Sequence, residues 1–118
     1  MAQDKDMSAV LDPGSLATRV ELYSQSMVAD GYGGYEPQWN LVSAFQVRLE
    51  PVAGFSATLA RTLEAGVTHK VTLRSRPDVA TGMELRKAGR RFEIVTIRDP
   101  DETGRYLQLD CREVQQAG

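Results

Sequence analysis

The stretch that most constrains the fold runs from Arg90 to Val114. Phe92, Ile94, Val95 and Ile97 make one arm rich in aromatic and β-branched residues. The second arm alternates: Leu107, Leu109 and Cys111 on one face, Tyr106, Gln108, Asp110 and Arg112 on the other. Period-two alternation marks a strand with one buried face. Asp99-Pro100-Asp101-Glu102-Thr103-Gly104 separates the arms and carries turn chemistry, with Asp to open, Pro to preset φ and Gly to exit. The stretch predicts a long β-hairpin with an acidic tip.

The rest of the chain is read against that hairpin. Residues 1–14 are polar, contain Asp4, Asp6 and Asp12, and end in Pro13-Gly14; they read as a flexible arm and not as a signal peptide. Residues 15–118 read as a single domain. Thr18 to Gln25 predicts a strand with Val20 and Leu22 inward. Ser26 to Trp39 holds three glycines and Pro37, which predicts a long Gly-rich loop. Leu41 to Glu50 alternates, with Leu41, Ser43, Phe45, Val47 and Leu49 expected on one inward face. Phe55, Leu59 and Leu63 recur at helical spacing, and Gly66 stands where a helix C-terminal glycine belongs. Thr68 to Arg76 and Met83 to Arg86 predict two further strands, the second with Met83 and Leu85 inward. The fold class is therefore mainly β: a small six-stranded antiparallel β-barrel with one short helix and a long Gly-rich loop.

Chemistry is scarce. The single histidine, His69, lies on an apolar strand face, and the single cysteine, Cys111, points inward. Both read as packed core residues, and no catalytic residue is assigned. One cysteine excludes an internal disulfide. No CxxC, HExxH or second histidine offers a metal site, no phosphate-binding motif appears, and no cofactor is implied. No apolar run approaches the ~20 residues of a membrane span. With 14 Lys and Arg against 16 Asp and Glu, the net charge is −2, unlike a domain built to grip phosphates.

Two groups remain as candidate contact residues. Asp30, Gly31, Tyr32, Gly33, Gly34, Tyr35 and Glu36 form a candidate contact loop, where tyrosines at a flexible position meet a partner. Arg86, Lys87, Arg90 and Arg91 at one turn, with Asp99, Asp101 and Glu102 at the other, are candidate subunit or partner contacts. The two turns lie at opposite ends of strand 91–98, roughly 26 Å apart at about 3.3 Å per residue. Such polarity favours head-to-tail association.

The chain resembles the phage head–tail joining family, the small head-closure or stopper proteins of siphophages, prophages and gene transfer agents. The resemblance covers about residues 14–114. It rests on Leu16-Ala17-Thr18-Arg19-Val20-Glu21-Leu22-Tyr23, on Val47 to Gly54, on Thr68 to Arg74, and on Gly89 to Ile94 with Asp99 to Leu107. It departs at Phe45-Gln46, where relatives often carry Trp-Ala. The resemblance implies a virion connector that closes the DNA-filled capsid below the portal and adaptor ring and presents the tail docking surface. It implies a homo-oligomeric ring, portal, adaptor and tail-terminator partners, transient contact with double-stranded DNA, and a place in the virion after assembly in the host cytoplasm. In such a ring residues 30–36 are the candidate channel or gating loop, by the length and flexibility expected of that stretch. The alternatives are a single-stranded nucleic-acid-binding OB-like module, stacking bases on Tyr32, Tyr35 and Trp39, or a neighbouring part such as a tail terminator.

Overall fold

The computed structural model describes residues 16–52 and 66–114. The helix expected over 55–65 and the arm expected over 1–14 lie outside the described residues. Gly66 itself has the left-handed φ of +79° that a helix C-terminal glycine takes.

Six strands form one antiparallel sheet: β1 (Thr18–Ala29), β2 (Tyr35–Pro51), β3 (His69–Arg74), β4 (Glu84–Lys87), β5 (Arg90–Arg98) and β6 (Tyr106–Val114). They pair in the order β1-β2-β3-β6-β5-β4, and β4 returns to β1, so the sheet closes into a barrel. No helix occurs among the described residues.

Closure buries one face of every strand. Val20 and Leu22 of β1, Val47 of β2, Val71 and Leu73 of β3, Leu85 of β4, Phe92 and Ile94 of β5, and Leu109 and Cys111 of β6 form the core. Leu107, Leu109 and Cys111 of residues 106–112 pack inward as expected, whereas Tyr106, expected on the outer face, is buried. β5 needs one correction. Its pairing slips between Ile94 and Thr96, leaving Val95 as a bulge. The extra residue lets Ile97 pack against the same core as Phe92 and Ile94, although its parity is opposite.

β1 and β2 depart most from expectation. The irregular loop predicted over 26–39 is largely paired. β1 continues to Ala29 and β2 begins at Tyr35, with Met27 opposite Pro37 and Gln25 opposite Trp39. Proline is accepted because β3 pairs only with Arg48–Pro51, so no strand among the described residues asks Pro37 for an N–H on its outer edge. Only residues 30–34 turn. There Asp30 donates its N–H to the Gly34 carbonyl at 3.1 Å and accepts at Oδ1 from the N–H groups of Tyr32 and Gly34 at 2.8 and 3.1 Å. Gly31 and Gly33 have φ of +83° and +85°, and a Cβ on Gly34 would stand 3.0 Å from Asp30 Oδ2. The glycines therefore build a tight capped turn.

The β4–β5 turn is shorter still. Lys87 pairs with Arg90, leaving Ala88 and Gly89 as the two central residues, both at positive φ (+49° and +82°). That is the signature of a type I′ hairpin, which favours Asn-Gly. Ala88→Asn is expected to stabilise the fold by about 0.5–1 kcal/mol, since alanine is disfavoured in the left-handed region. A lower midpoint in urea unfolding would contradict this turn.

Candidate functional site

The closed barrel uses only part of β1 and β2. β4 pairs with Glu21–Tyr23 of β1, and β3 with Arg48–Pro51 of β2. Beyond these limits the two strands pair only with each other among the described residues. They leave the barrel as a two-stranded ribbon of six residues per arm, about 20 Å long at ~3.3 Å per residue. The described residues accordingly extend 62 Å along one axis against 29 and 26 Å across.

The two faces of the ribbon differ. Cross-strand partners share a face. One face carries Tyr23 with Leu41, Gln25 with Trp39, Met27 with Pro37 and Ala29 with Tyr35. The other carries Ser24 with Asn40, Ser26 with Gln38 and Val28 with Glu36. Asn40 donates from Nδ2 to Ser26 Oγ at 3.1 Å across that polar face. The apolar face continues the outside of the barrel, because Tyr23 follows buried Leu22. Leu41 was expected inward but is 57% exposed. The cause is a bulge: Leu22 faces Ser43 and Tyr23 faces Leu41, so Val42 has no partner. The extra residue moves every odd position of β2 below 42 from the inner face to the outer one.

A charged cluster anchors the base of the apolar face. Glu84 is only 2% exposed. Its Oε1 accepts from Arg86 Nε at 2.9 Å and Arg91 Nε at 2.8 Å, and its Oε2 accepts from Arg91 at 2.7 Å. The Arg86 guanidinium lies 4.1 Å above the Tyr23 ring and 5.3 Å from the Trp39 ring, with Arg91 5.7 Å from Trp39. Burial pushes the Glu84 carboxyl up, but the hydrogen bonds from Arg91 and Arg86, with their charges, outweigh it and hold it below the usual range. The sequence reading did not single out Glu84. Its outward parity beside Leu85 was visible, but its burial depends on side chains from three other strands.

The other expected contact residues fall into separate places. Arg90 pairs with Glu113 at 2.8 and 3.0 Å and lies 5.0 Å from the Phe92 ring centroid. Lys87 lies in the β4–β5 hairpin beside Ala88. Asp99 accepts from the N–H groups of Asp101 and Gly104 at 3.3 and 2.6 Å. Asp101 accepts from the Thr103 hydroxyl at 2.7 Å, which with further bonds holds its carboxyl below the usual range. Both acids thus shape their own turn, while Glu102 is exposed with a φ of +60°. Because β1 and β5 run in the same direction on either side of antiparallel β4, the ribbon tip projects from the acidic end.

Nothing here makes an acid–base device. His69 opposes Cys111 in the β3–β6 pairing, yet its ring contacts are with the Thr68 hydroxyl at 2.9 Å, Arg90 at 3.5 Å and the edge of Phe92. Burial first, with Arg90 adding and Glu113 opposing, lowers its pKa and keeps it neutral above that value. Burial pushes the Cys111 thiol up to about 12. Among the described residues no group of acids, histidines and cysteines is arranged to hold a metal. Trp39, proposed for base stacking, is occupied by Arg86 and Arg91, while Tyr32 and Tyr35 stand 94% and 70% exposed at a tip flanked by Asp30 and Glu36.

Comparison with known proteins adds a family and a fold. The family described as phage head completion protein matches residues 11–114. The fold is similar to the solution structure of a protein from Shigella flexneri 2a, at 20% identity and a TM-score of 0.68, covering 90% of this chain and 99% of that one. It is also similar to a chain in the virion of a native gene transfer agent particle, at 23% identity and a TM-score of 0.57, covering 84% and 96%. No curated protein matches.

Glu84→Gln is expected to cost about 1–3 kcal/mol at neutral pH, since it leaves two guanidinium groups without their shared carboxylate. Because the folded carboxyl titrates below its unfolded value, its contribution is full above the ordinary carboxylate range and is lost as pH falls through the lowered pKa. The difference between Glu84→Gln and the parent in urea unfolding should therefore shrink in acid. A constant difference across that range would contradict the assignment.

Proposed function

The chain belongs to the phage head completion protein family, and on that premise we propose that it closes the DNA-filled capsid below the portal and adaptor ring and presents the surface on which the tail docks. It is a structural component of the virion and not an enzyme. Its partners are other head–tail proteins. We further propose that it acts as a ring of identical copies around the DNA channel.

The observation that carries this reading is the family match over nearly the whole chain, joined to a barrel that projects an amphipathic ribbon. A compact barrel supplies a rigid block for a ring. A ribbon whose apolar face is exposed at Met27 and Tyr35 among the described residues supplies a surface that suits a protein neighbour. The electrostatics fit a channel that must later empty. Arg86, Arg91 and Arg90 are each bound to a carboxylate of the same chain, and the ribbon tip is acidic. Each phosphate neutralised by a protein cation adds affinity, so such a surface passes DNA without holding it. The nucleic-acid-binding alternative loses one of its three stacking residues, since Trp39 is covered by arginines, and the exposed Tyr32 and Tyr35 stand between the acidic Asp30 and Glu36, which repel phosphates.

Particles assembled without this protein should yield filled heads that lose DNA and carry no tails, scored by electron microscopy and nuclease-protected DNA. Tailed particles with protected DNA would overturn the proposal.

A further inference from the structure

We propose that the ribbon tip of one copy seats in a cleft on the barrel wall of the next copy, making a head-to-tail contact between identical chains. This deepens the connector reading and rests on it for the copies standing side by side. The occupant is a second copy of this chain, and the argument comes from what each surface lacks.

The cleft lies where β2 and β3 part. Their pairing ends at Arg48 and Thr72. Beyond it Leu16, Phe45, Gln46, Arg74 and Arg76 line a depression of about 290 Å³. Small-molecule sites run from roughly 300 Å³ upward, so this one suits a single large side chain. Leu16 and Phe45 supply its apolar part, and Arg74 and Arg76 make it cationic. Arg76 is held rigidly: Asp78 receives it at 2.7 and 2.9 Å, Ser43 Oγ accepts at 2.8 Å, and the guanidinium lies 4.0 Å from the Phe45 ring centroid. Arg74 is exposed and has no ion pair or side-chain hydrogen bond among the described residues.

The tip offers the complement. Tyr32 and Tyr35 are its exposed aromatics. Glu36 is exposed and unpaired among the described residues, and Asp30 adds a second negative charge. An aromatic ring entering the cleft would stack beside the Arg76 and Phe45 pair, with Glu36 facing Arg74. Outside the ribbon and the adjoining Leu41 and Val42, no large apolar side chain among the described residues is exposed. In this cleft Phe45 is only partly buried and does not protrude. Reach also agrees. A ribbon of about 20 Å at ~3.3 Å per residue is comparable with the width of the molecule, 29 by 26 Å across its long axis.

The contact is heterologous, tip to wall, so it propagates from copy to copy and closes only as a ring. A single tip buries far less than the ~800 Å² per partner of a stable pair. The chain should therefore be monomeric in dilute solution, and the contact should form in the assembled particle. This use of the tip differs from the channel gate expected of a long mobile loop, because residues 30–34 form a capped turn on paired strands.

The test places Tyr32→Cys and Gln46→Cys in one chain and oxidises assembled particles gently; native Cys111 is buried and does not compete. A ladder of covalent multimers is expected, with neither single variant giving one. Glu36→Arg should lower the ladder yield by about fivefold, the size of one exposed charge pair, and Arg74→Glu in the same chain should restore it. No ladder, or only dimers joined through Tyr32→Cys as tips meeting on a common axis would give, overturns the contact. If such particles still need the protein to keep their DNA, the connector reading stands without it. A ladder from a system whose deletion particles keep DNA and tails retains the contact and sinks the connector reading.

Discussion

One inserted residue governs how this molecule meets its surroundings. β2 carries apolar or aromatic side chains at nearly every odd position from Tyr35 to Leu49, with Ser43 between. A regular strand would send all of them to one face. A seventeen-residue strand inside a closed barrel has no room to bury them all. The bulge at Val42 divides the set. Phe45, Val47 and Leu49 serve the barrel interior, and Leu41, Trp39, Pro37 and Tyr35 are turned outward along the ribbon. The same alternation thus builds a core and, one residue later, an apolar outer surface. A strand that kept its register would have placed Trp39 and Leu41 on the inner side and left the polar residues of the ribbon outside.

Charge then fixes where the ribbon leaves the barrel. Glu84 gathers Arg86 and Arg91, and these cover Tyr23 and Trp39. A carboxylate at 2% exposure tolerates its burial because both oxygens accept charge-assisted hydrogen bonds. The arginines are spent on this anchor. A positive turn that looked available for DNA or an acidic partner is largely neutralised within the chain, which suits the proposed role beside a DNA channel.

The barrel itself was legible. The alternations in residues 18–25, 68–76 and 106–112 name the strands and their inward faces, and a closed ring of six follows from strands with one apolar face each. The ribbon was not. Its three glycines and Pro37 read as breakers because the sequence does not say that the strand has no neighbour on its outer edge. Bulges were equally hidden, since Val42 and Val95 look like ordinary strand residues and only cross-strand pairing reveals the slip. The candidate tip residues 30–36 were found as a group for their composition, and the structure keeps them together. The basic group was not kept together: Arg86 and Arg91 meet at Glu84, whereas Arg90 turns to Glu113.

The account stands on the register of β1 against β2, and cross-strand nuclear Overhauser contacts in the purified protein read that register directly. The account predicts Leu22 opposite Ser43 and Tyr23 opposite Leu41, with Val42 unpaired and the Trp39 indole in contact with Arg86. Tyr23 opposite Val42, in an unbroken register, would contradict it.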